Sequence, residues 1–308
     1  MKRCPITYQE IPVDINYSQS GLRLLSRSLK DLNKFPFTPQ VLIQKALDLA
    51  SKTSIQGVQA KLSIKLKVKN ESFEIVERKG QYILKPPHQI YEEVSENEDL
   101  TMRLAGLAGI DVPFHGLIYN ADDSLSYIVK RFDRERNQKI AVEDFSQLLG
   151  FSRDDKYDSS MEQIVKVIEK HCTFPAIEKA KLFRLTLFNF LVGNEDMHLK
   201  NFMLIRHQDK VELSPAYDLL NTTILFDAKE EVALPINGKK SKLTRNDFVD
   251  YFGEARLGLP RQLLEDEVSK LRYCSEQWNA LIDISFLSLS KRERYKSLIE
   301  GRWQRLMK

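Results

Sequence analysis

"LVGNEDMHLKN", residues 191–201, is the point where an aliphatic run stops and polar chemistry begins. Upstream, "FPAIEKAKLFRLTLFNFLVG" is apolar nearly all round, which predicts a helix buried in a domain core. Downstream, "NFMLIR", "HQDK" and "VELSP" predict a two-stranded hairpin. Between them, eight residues carry two carboxylates, two carboxamides, a histidine and a lysine. A loop held between a buried helix and a hairpin can aim side chains, so its neighbours decide whether this is a site or a turn.

Bulk properties bound the answer. The chain has 308 residues, 42% hydrophobic and 29% charged, as expected of a globular protein with room for two lobes. A net charge of +4 does not by itself imply nucleic-acid binding. No apolar run reaches the roughly 18 residues of a membrane span, and "MKRCPITYQE" lacks the apolar core of a secretory signal. Cys4, Cys172 and Cys274 are far apart and form no C-x-x-C pair, which argues against a disulfide framework or a zinc site. A reducing cytoplasm fits that usage.

Two halves differ in pattern. After an irregular start, "TPQVLIQKALDLASK" predicts a helix with Thr38 as cap and Pro39 in its first turn. "AKLSIKLKV", "SFEIVE" and "QYILK" predict three strands punctuated by Asn70 and Gly80, and Pro86 and Pro87 end the last. "SENEDLTMRLAGLAGI" predicts a helix with Ser95 and Glu98 at capping-box spacing, and "GLIY" and "SLSYIVKRF" two further strands. Beyond "RFDRE" the segments "VEDFSQLLG", "SMEQIVKVIEKHC", "RNDFVDYFG", "RQLLEDEVSKLRYCSEQWNALI" and "SKRERYKSLIEGRWQRL" all read as helical. The expected architecture is α+β and two-lobed, like a protein kinase: a small antiparallel-sheet lobe over residues 1–130 and a mainly helical lobe over 131–308.

Phosphoryl transfer needs held phosphates, oxygen ligands for magnesium and an oriented acceptor hydroxyl. Protein kinases place an Asp and an Asn five positions apart on one loop, a second metal-binding Asp later, and a Lys in the other lobe. Asp196 and Asn201 have that spacing, "SPAYDLL" returns Asp218 after the hairpin, and Lys85 ends the third strand. Glu98 is placed either to pair with Lys85 or to complete the capping box with Ser95. A lone D-x-x-x-x-N is weak, and only the ordered set makes the pattern specific.

"NEDMHLKNFML" resembles the N-x-D-x-H-x-K-N catalytic loop of the HipA-like serine/threonine kinases, toxin components of bacterial toxin–antitoxin modules. "SIQGVQAKLSI" is similar to that family's phosphate-binding loop, "YILKPP" to its lysine strand, and "YIVKRFDRE" to its interlobe hinge. "VEDFSQLLG…KYD" and "LSPAYDLLNT" extend the resemblance over residues 54–223. The N-terminus departs from longer members and is similar to a short form, found in three-component systems where a separate protein supplies the missing small subdomain.

The resemblance implies ATP and Mg2+ as cofactors. Asp196 would orient the acceptor hydroxyl and take its proton, Asn201 and Asp218 would hold magnesium, and Lys85 would contact the nearer phosphates. His198 would approach the transferring phosphate. Ser54, Ile55, Gln56 and Gly57 would cradle phosphates, and backbone near Lys130 and Phe132 would meet the adenine. Ser54 matches the family's self-phosphorylation site, where a phosphate would bring roughly −1.5 to −2 charge beside the nucleotide phosphates. The implied protein substrate is an aminoacyl-tRNA synthetase, with the short form pointing to the tryptophan enzyme. Implied partners are a DNA-binding antitoxin and a separate subdomain-like antitoxin protein, without direct nucleic-acid or membrane contact.

Plainer readings stand beside these. Asp196 alone could be a loop acid, and Ser54 a turn cap. His198 as a zinc ligand lacks a second His or Cys at ligand spacing. The basic C-terminal "KRERYKSLIEGRWQRLMK" is explained by an amphipathic closing helix with a wet face. Competing functions are a small-molecule kinase of aminoglycoside or choline type, which shares D-x-H-x-x-N, and a pseudokinase binding subunit. "EDFSQLLG" and the serine in the phosphate loop speak against the first; the presence of Lys85, Asp196, Asn201 and Asp218 speaks against the second.

Overall fold

A computed structural model describes residues 1–50, 59–135, 138–152, 155–226 and 230–308. The chain forms two compact units. The first comprises Met1–Asp99, Pro113–Asn137 and Ile284–Leu287; the second comprises Leu100–Val112, Gln138–Asp283 and Ser288–Lys308.

The first unit is built on strands β1 (Leu62–Lys67), β2 (Ser72–Ile75), β3 (Tyr82–Lys85), β4 (His115–Tyr119) and β5 (Leu125–Lys130). They form one antiparallel sheet in the order β2-β1-β3-β5-β4. Side chains alternate across a sheet, so Leu62, Ile64 and Leu66 of β1 share one face and enter a core with Phe73, Leu84 and Ile128. Helix α1 (Gln19–Leu25) contributes Leu22 to that core, and α2 (Pro39–Ala50) contributes Leu42 and Ala46. The segments before and after α1 also belong to it through Cys4, Ile6, Tyr17, Leu29, Leu32 and Phe35. They cover edge strand β4 as well: the Leu117 N–H donates to the Pro5 carbonyl, and Phe35 N–H to the Tyr119 carbonyl at 2.8 Å. An edge occupied in this way offers fewer open backbone groups to other chains.

Helix α3 (Val94–Leu107) starts one residue before the expected cap, so Ser95 falls inside its first turn. The Ser95 hydroxyl is buried and makes no hydrogen bond among the described residues, so the capping box with Glu98 does not form. Glu98 pairs with Lys85 instead, with 2.5 Å between Nζ and Oε1.

The second unit is mainly helical: α4 (Phe145–Leu149), α5 (Met161–His171), α6 (Pro175–Val192), a π-helical turn over Asp247–Arg256, α7 (Arg261–Asp283) and α8 (Leu289–Leu306). From Leu185 to Val192 every residue of α6 is buried, as its all-round hydrophobicity requires. Phe188 meets Trp278 of α7 edge-on at 5.6 Å, and Phe190 meets Phe248 at 4.8 Å. One expectation fails at "VED": Ala141–Asp144 is a strand, β6, and not the start of a helix. It pairs with β7 (Met203–His207), which pairs with β8 (Lys210–Leu213), making the expected hairpin a three-stranded sheet. The physical reason lies at Asp144, which is extended and accepts the Gln147 N–H at 2.9 Å, so α4 can begin only after it.

The Arg184 guanidinium of α6 forks onto the Glu267 carboxylate of α7 at 2.6 and 2.8 Å and also donates to the Gly109 carbonyl at 2.9 Å. Burial alone would raise the Glu267 carboxyl, but Arg184 and Lys270 hold it below the usual range. Replacing Glu267 with Gln leaves a quarter-exposed guanidinium half-satisfied and should cost about 2 kcal/mol at neutral pH. Because the folded pKa is depressed, this contribution is present above the unfolded pKa of 4.5 and is lost as pH falls through the folded value. Denaturant titrations of both proteins should show the difference at pH 7 shrinking below pH 4.5.

Candidate active site

The buried end of α6 sets the geometry. Gly193 terminates the helix at φ +72°, a left-handed conformation that lets its N–H close back on the last turn. A Cβ there would also lie 2.5 Å from Leu298 Cδ2 and 2.7 Å from Thr223 Oγ1. The Gly193 carbonyl accepts the Thr222 N–H and hydroxyl, both at 2.9 Å, and the Thr223 N–H at 3.3 Å. The segment after Asp218 is therefore tied to the start of the Asp196 loop. A second tie runs from the Tyr217 hydroxyl to the Lys200 carbonyl at 2.6 Å.

Asp196 is held by its backbone. Buried Asn194 donates to Asn189 Oδ1 at 2.8 Å and accepts the Asp196 N–H at 3.1 Å. The Asp196 carbonyl accepts from Asn201 Nδ2 at 2.8 Å and from the His198 N–H at 2.9 Å. Its side chain remains 42% exposed, so a reactant can reach the carboxylate. Asn201 spends its Nδ2 on that carbonyl, and its Oδ1 accepts no hydrogen bond among the described residues. Asp218 sits at φ +58°, near enough for its charge to act on His198.

The His198 ring is buried, with Nε2 3.9 Å from Asp196 Oδ1 and 2.9 Å from Lys156 Nζ. An ammonium can only donate, so Nε2 is the accepting nitrogen and the ring proton sits on Nδ1. Burial pulls the imidazole below its ordinary pKa; Asp196 opposes this and Lys156 adds to it, so the ring is neutral at pH 7.

Several residues of this site carried no assigned role in the sequence. Tyr157 donates its hydroxyl to Asp196 Oδ1, and its ring meets His198 edge-on at 5.1 Å. Lys156 and Tyr157 stand in the family-like "KYD", but nothing in their spacing shows that they reach a loop some forty residues on. Glu195 accepts the Thr223 hydroxyl at 2.7 Å and lies 4.0 Å from Arg302 Nη2. Burial raises its carboxyl against both partners. Arg302 of α8 is buried, donates to the Phe190 carbonyl at 2.7 Å, and is lowered to about 10 by burial. Lys200 lies 3.7 Å from Asp144 Oδ2. Glu195 and Lys200 thus brace the loop.

In the first unit, the Lys85–Glu98 pair is almost fully buried, and the Lys85 ammonium lies 5.6 Å from the Tyr127 ring centroid. At the end of β5, the Lys130 N–H donates to Phe114 and the Arg131 N–H to Gln81, so both donors already serve the sheet. Phe132 follows directly, half-buried. Ser54, Ile55, Gln56 and Gly57 lie outside the described residues.

Asn201 and Asp218 offer two oxygen donors. Among the described residues no group of three or more His, Cys, Asp or Glu could hold a metal ion. That donor chemistry suits magnesium, which takes one or two protein oxygens and completes its shell with water and phosphate, and does not suit zinc.

A five-stranded antiparallel sheet with a strand lysine paired to a helix glutamate is the arrangement of protein-kinase folds, as is an Asp–Asn loop followed by a hairpin and a further Asp. The family model for the HipA-like C-terminal domain matches residues 53–278, more than half of the chain, and the chain belongs to that family. A Haemophilus influenzae protein named "Putative kinase" is 32% identical over 279 residues, with 80% of each chain covered. The Shewanella oneidensis "Serine/threonine-protein kinase toxin HipA" is 28% identical over 242 residues, 71% of this chain and 54% of that one. The chain thus spans little more than half of this HipA relative. In three dimensions it is similar to Shewanella oneidensis HipA, solved with HipB and operator DNA, at a TM-score of 0.69 and 22% identity, covering 91% of this chain and 73% of that one. It is also similar to the Helicobacter pylori proinflammatory kinase CtkA, at a TM-score of 0.55 and 16% identity, covering 73% and 87%. These structural likenesses support the α+β kinase-like fold. Among the described residues no helix is long and apolar enough to cross a membrane.

Substituting Gly193 with Ala forces a side chain into both the left-handed backbone and an occupied space. We expect about 2–3 kcal/mol of destabilisation. Thermal unfolding beside a Gly150→Ala control, where the backbone is equally left-handed but the space is open, separates the clash from the backbone strain.

Proposed function

We propose that this chain is an ATP- and Mg2+-dependent serine/threonine protein kinase acting as the toxin of a toxin–antitoxin module. The observation that carries the reading is Asp196: its backbone is clamped by Asn194, His198 and Asn201 while its side chain stays 42% exposed. A carboxylate so held suits a general base better than a surface acid, because positioning dominates phosphoryl transfer.

In this mechanism Asp196 orients a serine or threonine hydroxyl and takes its proton. The hydroxyl oxygen joins the terminal phosphorus of ATP while the bond to the bridging oxygen of the leaving ADP breaks. Asn201 Oδ1 and Asp218 would hold magnesium, which when bound neutralises charge developing on the phosphate oxygens. Lys85, oriented by Glu98, contacts the nearer phosphates. His198 approaches the transferring phosphate, with the Lys156 ammonium on its Nε2. Ile55, Gln56 and Gly57 belong to the phosphate-binding loop, and the backbone around Lys130 and Phe132 to the adenine contact.

Family membership and the likeness to HipA, which was solved with HipB and operator DNA, support a DNA-binding antitoxin as partner. The resemblance to short family members supports a separate subdomain-like antitoxin, action in the cytoplasm, and an aminoacyl-tRNA synthetase as substrate, with the tryptophan enzyme first. Ser54 is the proposed autophosphorylation site, where a phosphate repels the nucleotide phosphates and lowers ATP affinity.

The test is incubation with γ-labelled ATP, Mg2+ and a panel of synthetases, beside Asp196→Asn and Asp218→Asn. Label should enter the wild-type protein and one synthetase. Asp196→Asn should lose at least about 100-fold in rate while still binding nucleotide. A wild type that labels no protein defeats the reading, and label found only in choline or an aminoglycoside replaces it with the small-molecule kinase. Mass spectrometry after prolonged incubation should find phosphate on Ser54; an unmodified Ser54 removes the autophosphorylation claim alone.

A further inference from the structure

Two consecutive residues reach the candidate catalytic loop from the segment between α4 and α5. Lys156 holds His198 Nε2 at 2.9 Å, and Tyr157 donates its hydroxyl to Asp196 Oδ1. Their backbone is anchored as well, since the Leu199 N–H donates to the Lys156 carbonyl at 3.2 Å. The Lys156 ammonium lies 4.8 Å from the Tyr157 ring centroid, and that ring leans edge-on against His198 at 5.1 Å.

We infer that Tyr157 is a positioning residue that fixes the orientation of the Asp196 carboxylate for acceptance of the substrate proton. The inference rests on the kinase reading given above. A carboxylate turns about a broad, nearly two-fold terminal torsion, so clamping the Asp196 backbone does not by itself aim its oxygens. The other hydrogen bonds to Asp196 on this loop all reach its backbone: Asn194 takes the N–H, and Asn201 and His198 donate to the carbonyl. The phenol takes one carboxylate oxygen, and the other, Oδ2, accepts no hydrogen bond among the described residues. One oxygen is thereby held and the second left to receive the acceptor hydroxyl.

The opposing interpretation makes the phenol a plug in the acceptor's place. It predicts an opposite sign: losing the hydroxyl would free the carboxylate, lower the acceptor KM and speed turnover. The open second oxygen and the anchored backbone of Lys156 favour positioning.

Tyr157→Phe keeps the ring on His198 and deletes only the donor. Under the positioning role kcat falls roughly 10- to 100-fold, KM for ATP and for the protein acceptor stays within a factor of two or three, and the unfolding midpoint is unchanged. A merely structural role would move the unfolding midpoint and not the split between kcat and KM. In parallel, 13Cζ-tyrosine NMR of the intact protein reports the contact without turnover: the resonance lost in Tyr157→Phe should shift in Asp196→Ala. An active wild type with an unaffected or faster Tyr157→Phe overturns the role, as does a Tyr157 resonance indifferent to Asp196→Ala. A wild type that transfers no phosphate overturns the kinase reading, and the role of Tyr157 with it, and so is told apart from failure of the role alone.

Discussion

One backbone position, the left-handed Gly193 at the end of α6, ties the candidate site together. The last eight residues of the helix before it, Leu185–Val192, are all buried, so its end has little freedom to move. The glycine turns the chain sharply there, and its carbonyl then gathers three hydrogen bonds, from the Thr222 N–H and hydroxyl and the Thr223 N–H. The start of the Asp196 loop and the segment beyond Asp218 thus share one anchor. Asn194, the next residue, passes that rigidity to the Asp196 N–H. For the proposed phosphoryl transfer, where positioning dominates, an anchor at the root of the loop matters more than any single surface contact.

Ionic groups in dry places recur through the molecule, and they come with partners. Lys85 meets Glu98, Arg184 forks onto Glu267, and Arg302 sits on the Phe190 carbonyl with Glu195 nearby. Such pairs add little net stability compared with apolar packing, while losing one partner strands the other. Their contribution is therefore to geometry: one fixes the angle of a strand lysine, one joins α6 to α7, and one braces the Asp196 loop from α8.

How much was legible in advance depends on the range of the interaction. The strands of the first unit, the burial of α6, the hairpin after the loop and the helices of the C-terminal third follow from periodicity, because each reports contacts repeated along its own segment. The pattern at Ala141–Asp144 predicts helix and the chain forms a strand there, because its partner Met203–His207 lies some sixty residues away. The C-terminal basic run is the helix its pattern predicts, yet Arg302 lies on the buried face and not the wet one. Tyr157 was invisible as a site residue, since an isolated tyrosine in a loop has no periodic or spacing signal.

Order and residue type along the chain were enough for the family and for the candidate residues Lys85, Asp196, Asn201 and Asp218, because a reaction that needs those groups in that sequence leaves a pattern that survives without coordinates. Folding in three dimensions decided what each group touches. It gave Glu98 to Lys85 and left Ser95 without a cap, placed Lys156 on His198, and brought Tyr157 to the Asp196 carboxylate. These contacts join residues 13 to 42 positions apart, and at such separations which side chains meet is set by packing of whole elements, to which local pattern is blind.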